Sequence, residues 1–285
     1  MTTTQLLNGK ALGQQWLAAV AARVAQWPRP PRLVIVQVGD VRASTVYVGK
    51  KLEAAAAVGI AAERLHLRAD EGEAALHSTL HALAQDVTVD AIIVQTPLPA
   101  GWDVQAALDA VPWPKDVDGL STASAQRRAQ GLPAHVPATP AAVLRVITEA
   151  WGHALPGLPV AVIGNGRVVG APLRALLAQA GAQVLPINRE TPHPQSLAQQ
   201  ARVVVAACGV PGLVNEHWLQ PGADVVDVGL TPEETPEGKR TLRGDVDALR
   251  IEGHATRRTP APGGIGPLTV AQLLANVAAV VGLTA

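Results

Sequence analysis

The chain is poor in aromatic residues and has a single cysteine. Among 285 residues there is no phenylalanine, and Tyr47 is the only tyrosine, so the core must consist mainly of alanine, valine, leucine and isoleucine. Cys208 alone excludes an internal disulfide and any metal site made of several cysteines. The amino terminus lacks a basic segment followed by an uninterrupted apolar run, and no apolar run is long enough to span a bilayer. We therefore expect a soluble, cytoplasmic protein without a membrane partner.

The charges are also balanced. The chain has 23 Lys and Arg against 23 Asp and Glu, without a block of either sign, which argues against nucleic acid as a partner. His77 and His81 are four residues apart on a predicted helix, but no third ligand accompanies them, so we predict no metal site. Cys208 ends an apolar run, which favours inert packing over nucleophilic chemistry.

Strands and helices are predicted to alternate along the whole chain. The predicted strands span residues 33–38, 61–67, 90–95, 160–163, 184–187, 203–207 and 224–228. The predicted helices span residues 13–27, 44–59, 71–85, 141–151, 171–180 and 270–281, and residues 233–239 are expected to form a loop. This alternation indicates an α/β fold with parallel sheets and helices on both faces.

A stretch rich in proline and glycine between residues 131 and 140 indicates a change of domain. We predict an N-terminal α/β catalytic domain over residues 1–138, completed by a C-terminal helix over 270–285. A Rossmann-like dinucleotide-binding domain is expected over 139–269, with a cleft between the two domains. Ligands of such sheets bind at the carboxyl ends of the strands.

Tyr47 and Lys51 are four residues apart on the helix predicted after the first of these strands. They therefore share one face of that helix, at the mouth of the sheet. An aromatic ring beside an amine can stack on a flat substrate and move a proton. A core tyrosine next to a solvated lysine is the simpler alternative for these residues taken alone.

The segment Gly-Asn-Gly-Arg-Val-Val-Gly at 164–170 follows a predicted strand and precedes a predicted helix. Its glycines allow a tight turn and close approach of a pyrophosphate, whose charge the helix N-terminus favours. Arg189 follows the next strand, where a guanidinium suits a 2′-phosphate and an acidic residue would suit a 2′-hydroxyl. Arg189 thus favours NADP, with Glu190 as a complicating neighbour, and a surface arginine is the alternative.

Three further loops carry polar or glycine-rich patterns. Gln95 ends a strand in a stiff proline loop, where its amide can hold a lysine amine. The segment Lys-Asp-Val-Asp-Gly at 115–119 offers carboxylates to an aminopyrimidine edge; it has too few oxygen ligands for a calcium loop, and a plain turn remains open. The segment at 259–269 has glycines dense enough for a ligand to approach the backbone, or it is a proline-rich connector.

Together these motifs resemble the bifunctional methylenetetrahydrofolate dehydrogenase/methenyltetrahydrofolate cyclohydrolase family, over essentially the whole chain. The resemblance is carried by Tyr-x-x-x-Lys at 47–51, Val-Gln-Thr-Pro-Leu-Pro at 94–99, Lys-Asp-Val-Asp-Gly at 115–119, Asp-Val-Gly at 227–229, Gly-Asp-Val-Asp at 244–247 and Pro-Gly-Gly-Ile-Gly-Pro at 262–267. It implies a two-domain homodimer that oxidises methylene-tetrahydrofolate with NADP and hydrolyses the methenyl product to formyl-tetrahydrofolate.

The resemblance also implies roles for individual residues. Lys51 is expected to be the general acid/base, oriented by Gln95, with Tyr47 stacked on the aminobenzoyl ring and Asp118 holding the pterin. Further expected substrate contacts are Ser44, Pro262, Gly263 and Gly264. The expected cofactor contacts are Gly164, Asn165, Gly166, Arg167, Arg189, Gly209 and Leu230.

The chain departs from the family pattern mostly in the cofactor half. The family usually has Gly-Arg-Ser where this chain has Gly-Asn-Gly at 164–166, and His-Ser where it has Asn188 and Arg189; at 137–140 it has Pro-Ala-Thr-Pro in place of Pro-Cys-Thr-Pro. The 2′-phosphate contact is thus expected to have moved to Arg189. A preference for NAD, a cyclohydrolase without dehydrogenase activity and a non-catalytic dinucleotide sensor are the alternatives.

Overall fold

The computed structural model describes residues 3–234 and 240–284. Its strands are β1 (Gln5–Leu6), β2 (Arg32–Val38), β3 (Ala61–Leu67), β4 (Ala91–Gln95), β5 (Pro159–Ile163), β6 (Gln183–Ile187), β7 (Val203–Ala206), β8 (Asp224–Asp227), β9 (Thr231–Glu234), β10 (Arg240–Arg243) and β11 (Arg257–Arg258). Its α-helices are α1 (Gly9–Val24), α2 (Arg42–Ala57), α3 (Glu73–Gln85), α4 (Val104–Asp109), α5 (Thr122–Ala129), α6 (Ala138–Arg145), α7 (Gly170–Gln179), α8 (Pro194–Ala198) and α9 (Ile265–Thr284). Within these residues, no helix has both the length and the apolar character needed to cross a membrane.

The chain divides into two compact units. The three-stranded unit comprises residues Gln14–Ala138 and Val270–Ala285, and the six-stranded unit comprises Met1–Gly13 and Thr139–Thr269. All strand pairs of the two main sheets are parallel, and an antiparallel pair, β9 and β10, accompanies the larger sheet. The α/β class predicted from the alternation is thereby confirmed.

In the three-stranded unit the strand order is β3-β2-β4. Strand β2 is apolar at almost every position because both of its faces are covered. Leu33 and Ile35 pack with α2 and α9 on one face, whereas Val34 and Val36 pack with α3 and α4 on the other. The apolar C-terminal helix therefore completes the core of this unit.

In the six-stranded unit the order is β1-β11-β8-β7-β5-β6. From β5 the chain crosses to β6 on one side and then returns to β7 on the other side. The carboxyl ends of β5 and β7 thus form a topological switch point, which is where open parallel sheets bind ligands.

Residues 1–13, which the sequence places in the first domain, belong to the compact six-stranded unit in the structure. Strand β1 pairs in parallel with β11, so this segment extends the six-stranded sheet. The Thr4 hydroxyl also donates a hydrogen bond to Ala255 O at 2.8 Å. A strand of two residues has no periodicity in sequence, and its partners lie about 250 positions away.

Other predicted boundaries differ from the observed ones by a few residues. Helix α1 begins at Gly9 because Asn8 caps it, its side chain accepting a hydrogen bond from Ala11 N at 3.0 Å. Helix α6 begins at Ala138 and is followed by a π-helical turn, Val146–Ala150. Of the loop predicted over 233–239, residues 233 and 234 belong to β9, and 235–239 lie outside the described residues.

Two buried carboxylates hold the loops that follow the central strands of the six-stranded sheet. Asp227 ends β8 and accepts hydrogen bonds from three backbone N–H groups, those of Gly229, Asp245 and Val246, at 3.0, 3.0 and 3.1 Å. Asp245 in turn accepts from the N–H groups of Cys208 and Gly209, at 2.7 and 2.9 Å. A Cβ on Gly244 would collide with the Asp227 carboxylate, and one on Gly229 with that of Asp245. The Asp-Val-Gly and Gly-Asp-Val-Asp motifs therefore pack against each other, with each carboxylate seated on a glycine of the other motif.

Burial raises the pKa of Asp227 to about 6, and the nearby charge of Asp245 acts in the same direction, although the backbone donors oppose both. The ordinary pKa of an unfolded aspartate is about 3.9. Because the folded state binds this proton more tightly, the stabilisation it gives is complete at low pH and disappears as the pH rises through about 6.

We predict that wild type and Asp227→Asn differ in the pH dependence of their stability. Between pH 7.5 and 4.5 the free energy of unfolding of the wild type should rise by about 2 kcal/mol relative to that of the variant. The asparagine cannot ionise, so any constant loss from its poorer hydrogen bonding cancels in this comparison. Urea unfolding at both pH values measures the effect, and parallel pH profiles for the two proteins would contradict it.

Candidate functional site

In the three-stranded unit, Lys51 on α2 is joined to Gln95 at the end of β4. Lys51 Nζ donates a hydrogen bond to Gln95 Oε1 at 3.0 Å, and Gln95 Nε2 donates to Thr96 O at 2.7 Å. The second bond fixes the orientation of the amide, so that its oxygen faces the amine. Both side chains are half-buried. The structure thus places a positioned amine at the carboxyl edge of this sheet.

Tyr47 and Ser44 lie on the preceding turns of the same helix. Tyr47 is half-buried, and burial raises the pKa of its phenol, so the hydroxyl stays protonated. Lys50 Nζ lies 5.9 Å from the centre of the Tyr47 ring. Ser44 is only 5% exposed, and its hydroxyl has no hydrogen-bond partner among the described residues.

The loop at 115–119 is held by its first two charged residues. Lys115 Nζ donates to three carbonyl groups at the C-terminal end of α3, those of Leu83, Ala84 and Asp86, at 3.1, 2.9 and 2.7 Å. Asp116 is buried and accepts from Ser121 N at 2.9 Å and from the Ser124 hydroxyl at 2.7 Å. These two side chains therefore stabilise the loop.

Asp118 differs from Asp116 because, within the described part of the chain, its carboxylate accepts no hydrogen bond. Burial raises the pKa of Asp118, the positive charge of Lys51 opposes this rise, and Asp116 adds to it. Gly119 follows with φ +64°, and a Cβ there would lie 2.6 Å from His135 O, so the turn requires glycine. The loop therefore presents one carboxyl group whose oxygens are available to a ligand, within the electrostatic reach of Lys51.

In the six-stranded unit, the glycine-rich turn joins β5 to α7. A Cβ on Gly164 would collide with Ala207 O, and one on Gly170 would lie 2.5 Å from Gly164 O. Gly166, by contrast, has open space around it. The outer two glycines thus bring strand, turn and helix into contact, and the middle one leaves room for a ligand.

A pocket of about 730 Å³ lies at the carboxyl ends of β5, β6 and β7. Three segments supply more than half of its lining residues: Gly164, Asn165 and Gly166 after β5, Asn188, Arg189 and Glu190 after β6, and Cys208 and Val210 after β7. This is the switch point of the sheet, so the position agrees with that of a dinucleotide site.

Arg174 lies beneath the glycine-rich turn. Its guanidinium donates to Gly164 O at 2.9 Å, to Ile187 O at 3.1 Å and to Asn165 Oδ1 at 3.1 Å. Burial lowers the pKa of this side chain. Arg174 therefore ties the ends of β5 and β6 together and orients Asn165. No sequence pattern indicates this role, because an arginine on a helix is usually solvated.

The remaining predicted cofactor residues, Arg167, Gly209 and Leu230, are not among the residues that line the pocket. Arg167 is exposed and does not line the pocket. The N–H of Gly209 is used by Asp245, and Leu230 lies shortly after the end of β8. Burial and the charge of Asp245 raise the pKa of the Cys208 thiol to about 12, so it stays protonated and unreactive.

The glycine-rich segment near residue 263 also belongs to the six-stranded unit. Pro262 and Gly263 are exposed, whereas Gly264 is buried. A Cβ on Gly264 would lie 2.5 Å from Pro260 O, and one on Gly9 would collide with Gly264 O. These glycines are required by close backbone packing at the start of α1.

Gln37 is a further polar residue that the sequence analysis did not single out. It lies directly opposite Gln95 in the register of β2 and β4 and is 1% exposed. A glutamine within the otherwise apolar run of β2 was the available signal. The apolar residues of this run predict the strand, but they assign no role to its one polar member.

Two family models match the chain and together cover most of it. Residues 7–118 match the tetrahydrofolate dehydrogenase/cyclohydrolase catalytic domain, and residues 137–284 match the NAD(P)-binding domain of the same family. Among curated relatives, the bifunctional protein FolD of Acidiphilium cryptum is 40% identical over 272 residues, which cover 95% of this chain and 96% of that protein. FolD 2 of Sinorhizobium medicae is 38% identical over 275 residues, covering 95% and 92%.

Solved structures of such enzymes are similar over the whole chain. The bifunctional FolD enzyme of Campylobacter jejuni has a TM-score of 0.92 and 30% identity, and the match covers 99% of this chain and 100% of that one. The Trypanosoma brucei enzyme, solved with NADP and an inhibitor, has a TM-score of 0.92 and 31% identity, covering 100% and 99%. The chain therefore belongs to the tetrahydrofolate dehydrogenase/cyclohydrolase family.

Proposed function

We propose that this chain oxidises 5,10-methylenetetrahydrofolate to the 5,10-methenyl form with NADP and then hydrolyses that product to 10-formyltetrahydrofolate. The observation that carries the proposal is the amine of Lys51, held 3.0 Å from Gln95 Oε1 and within the electrostatic reach of Asp118. Family membership supports both reactions. A homodimer in the cytoplasm is an expectation from the family alone.

The proposed chemistry assigns one task to each side chain of the three-stranded unit. Oxidation leaves a cationic methenyl bridge, which water attacks, and Lys51 acts as the general acid/base of this hydrolysis. Gln95 orients the amine. Asp118 accepts two parallel hydrogen bonds from the aminopyrimidine edge of the pterin. Tyr47, with its ring half-buried, stacks on the aminobenzoyl group. Ser44, Pro262, Gly263 and Gly264 are the other proposed substrate contacts.

The nucleotide is proposed to bind at the switch point of the six-stranded unit, where it accepts the hydride from the methylene carbon. The residues fit such a group because Gly166 leaves open space at the turn and α7 begins shortly after it, so that the helix N-terminus would favour an anion there. Gly164, Asn165 and Gly166 would hold the pyrophosphate. The other proposed cofactor contacts are Arg167, Gly209 and Leu230.

Arg189 is proposed to pair with the 2′-phosphate of NADP. It is exposed in the pocket beside Asn165, which stands where the family usually has an arginine. Glu190 lines the same pocket and would instead favour the 2′-hydroxyl of NAD. Because Glu190 lines the pocket, an NAD-preferring dehydrogenase is the second candidate function. A non-catalytic sensor would have no use for the amine that Gln95 orients.

We predict that Lys51→Met abolishes hydrolysis of methenyl-tetrahydrofolate, because the proposed base is removed while the length of the side chain is kept. Lys50→Met is the matched control, since Lys50 is the exposed lysine next to it on the same helix. The decay of methenyl absorbance in each purified protein measures the effect. A Lys51 variant with near-normal hydrolysis would refute the assignment of the base.

We predict that Arg189→Ala weakens NADP binding about ten-fold or more and changes NAD binding little, because a charge-assisted hydrogen bond to the phosphate is lost. Glu190→Gln should have the opposite effect and strengthen NADP, since a negative charge near the phosphate is removed. Titration of each protein with both nucleotides gives the dissociation constants. Equal losses for NADP and NAD in the Arg189 variant would exclude the 2′-phosphate contact.

A further inference from the structure

Asn276 is a polar residue in the apolar, buried part of α9. Between Val270 and Val281 the sequence of this helix has only two polar residues, Gln272 and Asn276, and Asn276 is 6% exposed. Asparagine is a poor helix former, and a buried amide costs free energy unless it is hydrogen-bonded. An asparagine at this position is therefore expected to have specific partners.

The Asn276 amide joins two segments that are distant from it in sequence. Its Nδ2 donates to Val117 O and to Val136 O, both at 2.8 Å. Gln272 Nε2, one helical turn earlier, donates to Asn276 Oδ1 at 3.1 Å. Carbonyl oxygens only accept hydrogen bonds, so the amide nitrogen must face both of them. Both N–H bonds of the Asn276 amide are thereby used.

The two segments that Asn276 holds lie on either side of Asp118. The carbonyl of Val117 belongs to the peptide group that contains the N–H of Asp118, so the bond from Asn276 fixes the plane of that peptide. After Asp118, the chain lies against the other segment, because a Cβ on Gly119 would be 3.0 Å from Val136 C. Asn276 therefore holds the backbone before Asp118 and the segment that supports the backbone after it.

Asp118 depends on this backbone support more than Asp116 does. The carboxylate of Asp116 is held directly by Ser121 N and the Ser124 hydroxyl, at 2.9 and 2.7 Å. The carboxylate of Asp118 accepts no hydrogen bond within the described part of the chain. Its position before a ligand binds is therefore determined by its backbone, which Asn276 holds.

We propose that Asn276 is a positioning residue for the pterin of the folate substrate and acts through Asp118. The proposal rests on the function proposed above, in which Asp118 accepts two parallel hydrogen bonds from the aminopyrimidine edge. Two parallel bonds require both carboxylate oxygens to lie in line with the donors, so a small rotation of the backbone at Asp118 weakens both. The same pterin is held during oxidation and hydrolysis, so Asn276 should affect folate affinity in both reactions.

The test is a double-mutant cycle on the binding of tetrahydrofolate. Asp118→Ala should weaken binding about ten-fold or more, because both bonds to the carboxylate are lost. Asn276→Leu should weaken it about three- to ten-fold, the equivalent of one hydrogen bond. If Asn276 acts through Asp118, the double variant binds no more weakly than Asp118→Ala alone, whereas independent effects would add. Additive losses would overturn the proposal.

Val277→Ala is the matched control, because it removes buried apolar packing next to Asn276 and leaves both amide hydrogen bonds in place. Its affinity for tetrahydrofolate should stay near that of the wild type. In Asn276→Leu, steady-state kinetics should show a higher KM for the folate with little change in kcat, and NADP affinity should be unchanged. An equal loss of folate affinity in Val277→Ala would show that only helix packing matters and would overturn the proposal.

Asn276→Ser is the second variant, for use if Asn276→Leu does not fold. Its hydroxyl donates one hydrogen bond instead of two, so a smaller loss is expected, again absent on the Asp118→Ala background. A wild type that does not bind tetrahydrofolate would refute the proposed function, and the inference with it. Wild-type binding that Asp118→Ala weakens, together with additive losses for the Asn276 variants, would overturn the inference alone.

Discussion

Parallel strands must end at a common edge, and this constraint determines where polar groups lie in both units. Strands β2, β4, β5 and β7 are buried on both faces over most of their length, and almost all of their buried residues are apolar. Polar side chains occur where the strands stop. In the three-stranded unit these are Gln37 and Gln95, and in the six-stranded unit the glycine-rich turn and Asp227 take the same position.

The loops at these edges are held by charged groups that do not themselves face a ligand. Asp116 and Lys115 fasten one loop through backbone groups and a serine, and Asp227 and Asp245 fasten others. Asp118, between Asp116 and Gly119, is left with available oxygens. Neighbouring carboxylates of similar sequence context therefore differ in their availability to a ligand, and the difference comes from the hydrogen bonds that each one accepts.

Much of this organisation could be predicted from the sequence because it depends on local patterns. The apolar strand around Val36, the glycine-rich turn at Gly164 and the helical spacing of Tyr47 and Lys51 are all local signals. The pairing of β1 with β11 could not be predicted, since a two-residue strand has no periodicity and its partner is distant. The role of Arg174 could not be predicted either, because it donates to backbone carbonyls at the ends of β5 and β6, which a sequence pattern does not specify.

The proposed function requires that one chain perform oxidation and hydrolysis in succession. The most direct measurement follows methenyl absorbance after purified wild-type protein is mixed with methylene-tetrahydrofolate and NADP, and in parallel with NAD. We expect the methenyl species to form with NADP and then to decay faster than it does in buffer, with formyl-tetrahydrofolate as the product. Absence of methenyl formation with both nucleotides, or its decay only at the rate in buffer, would contradict it.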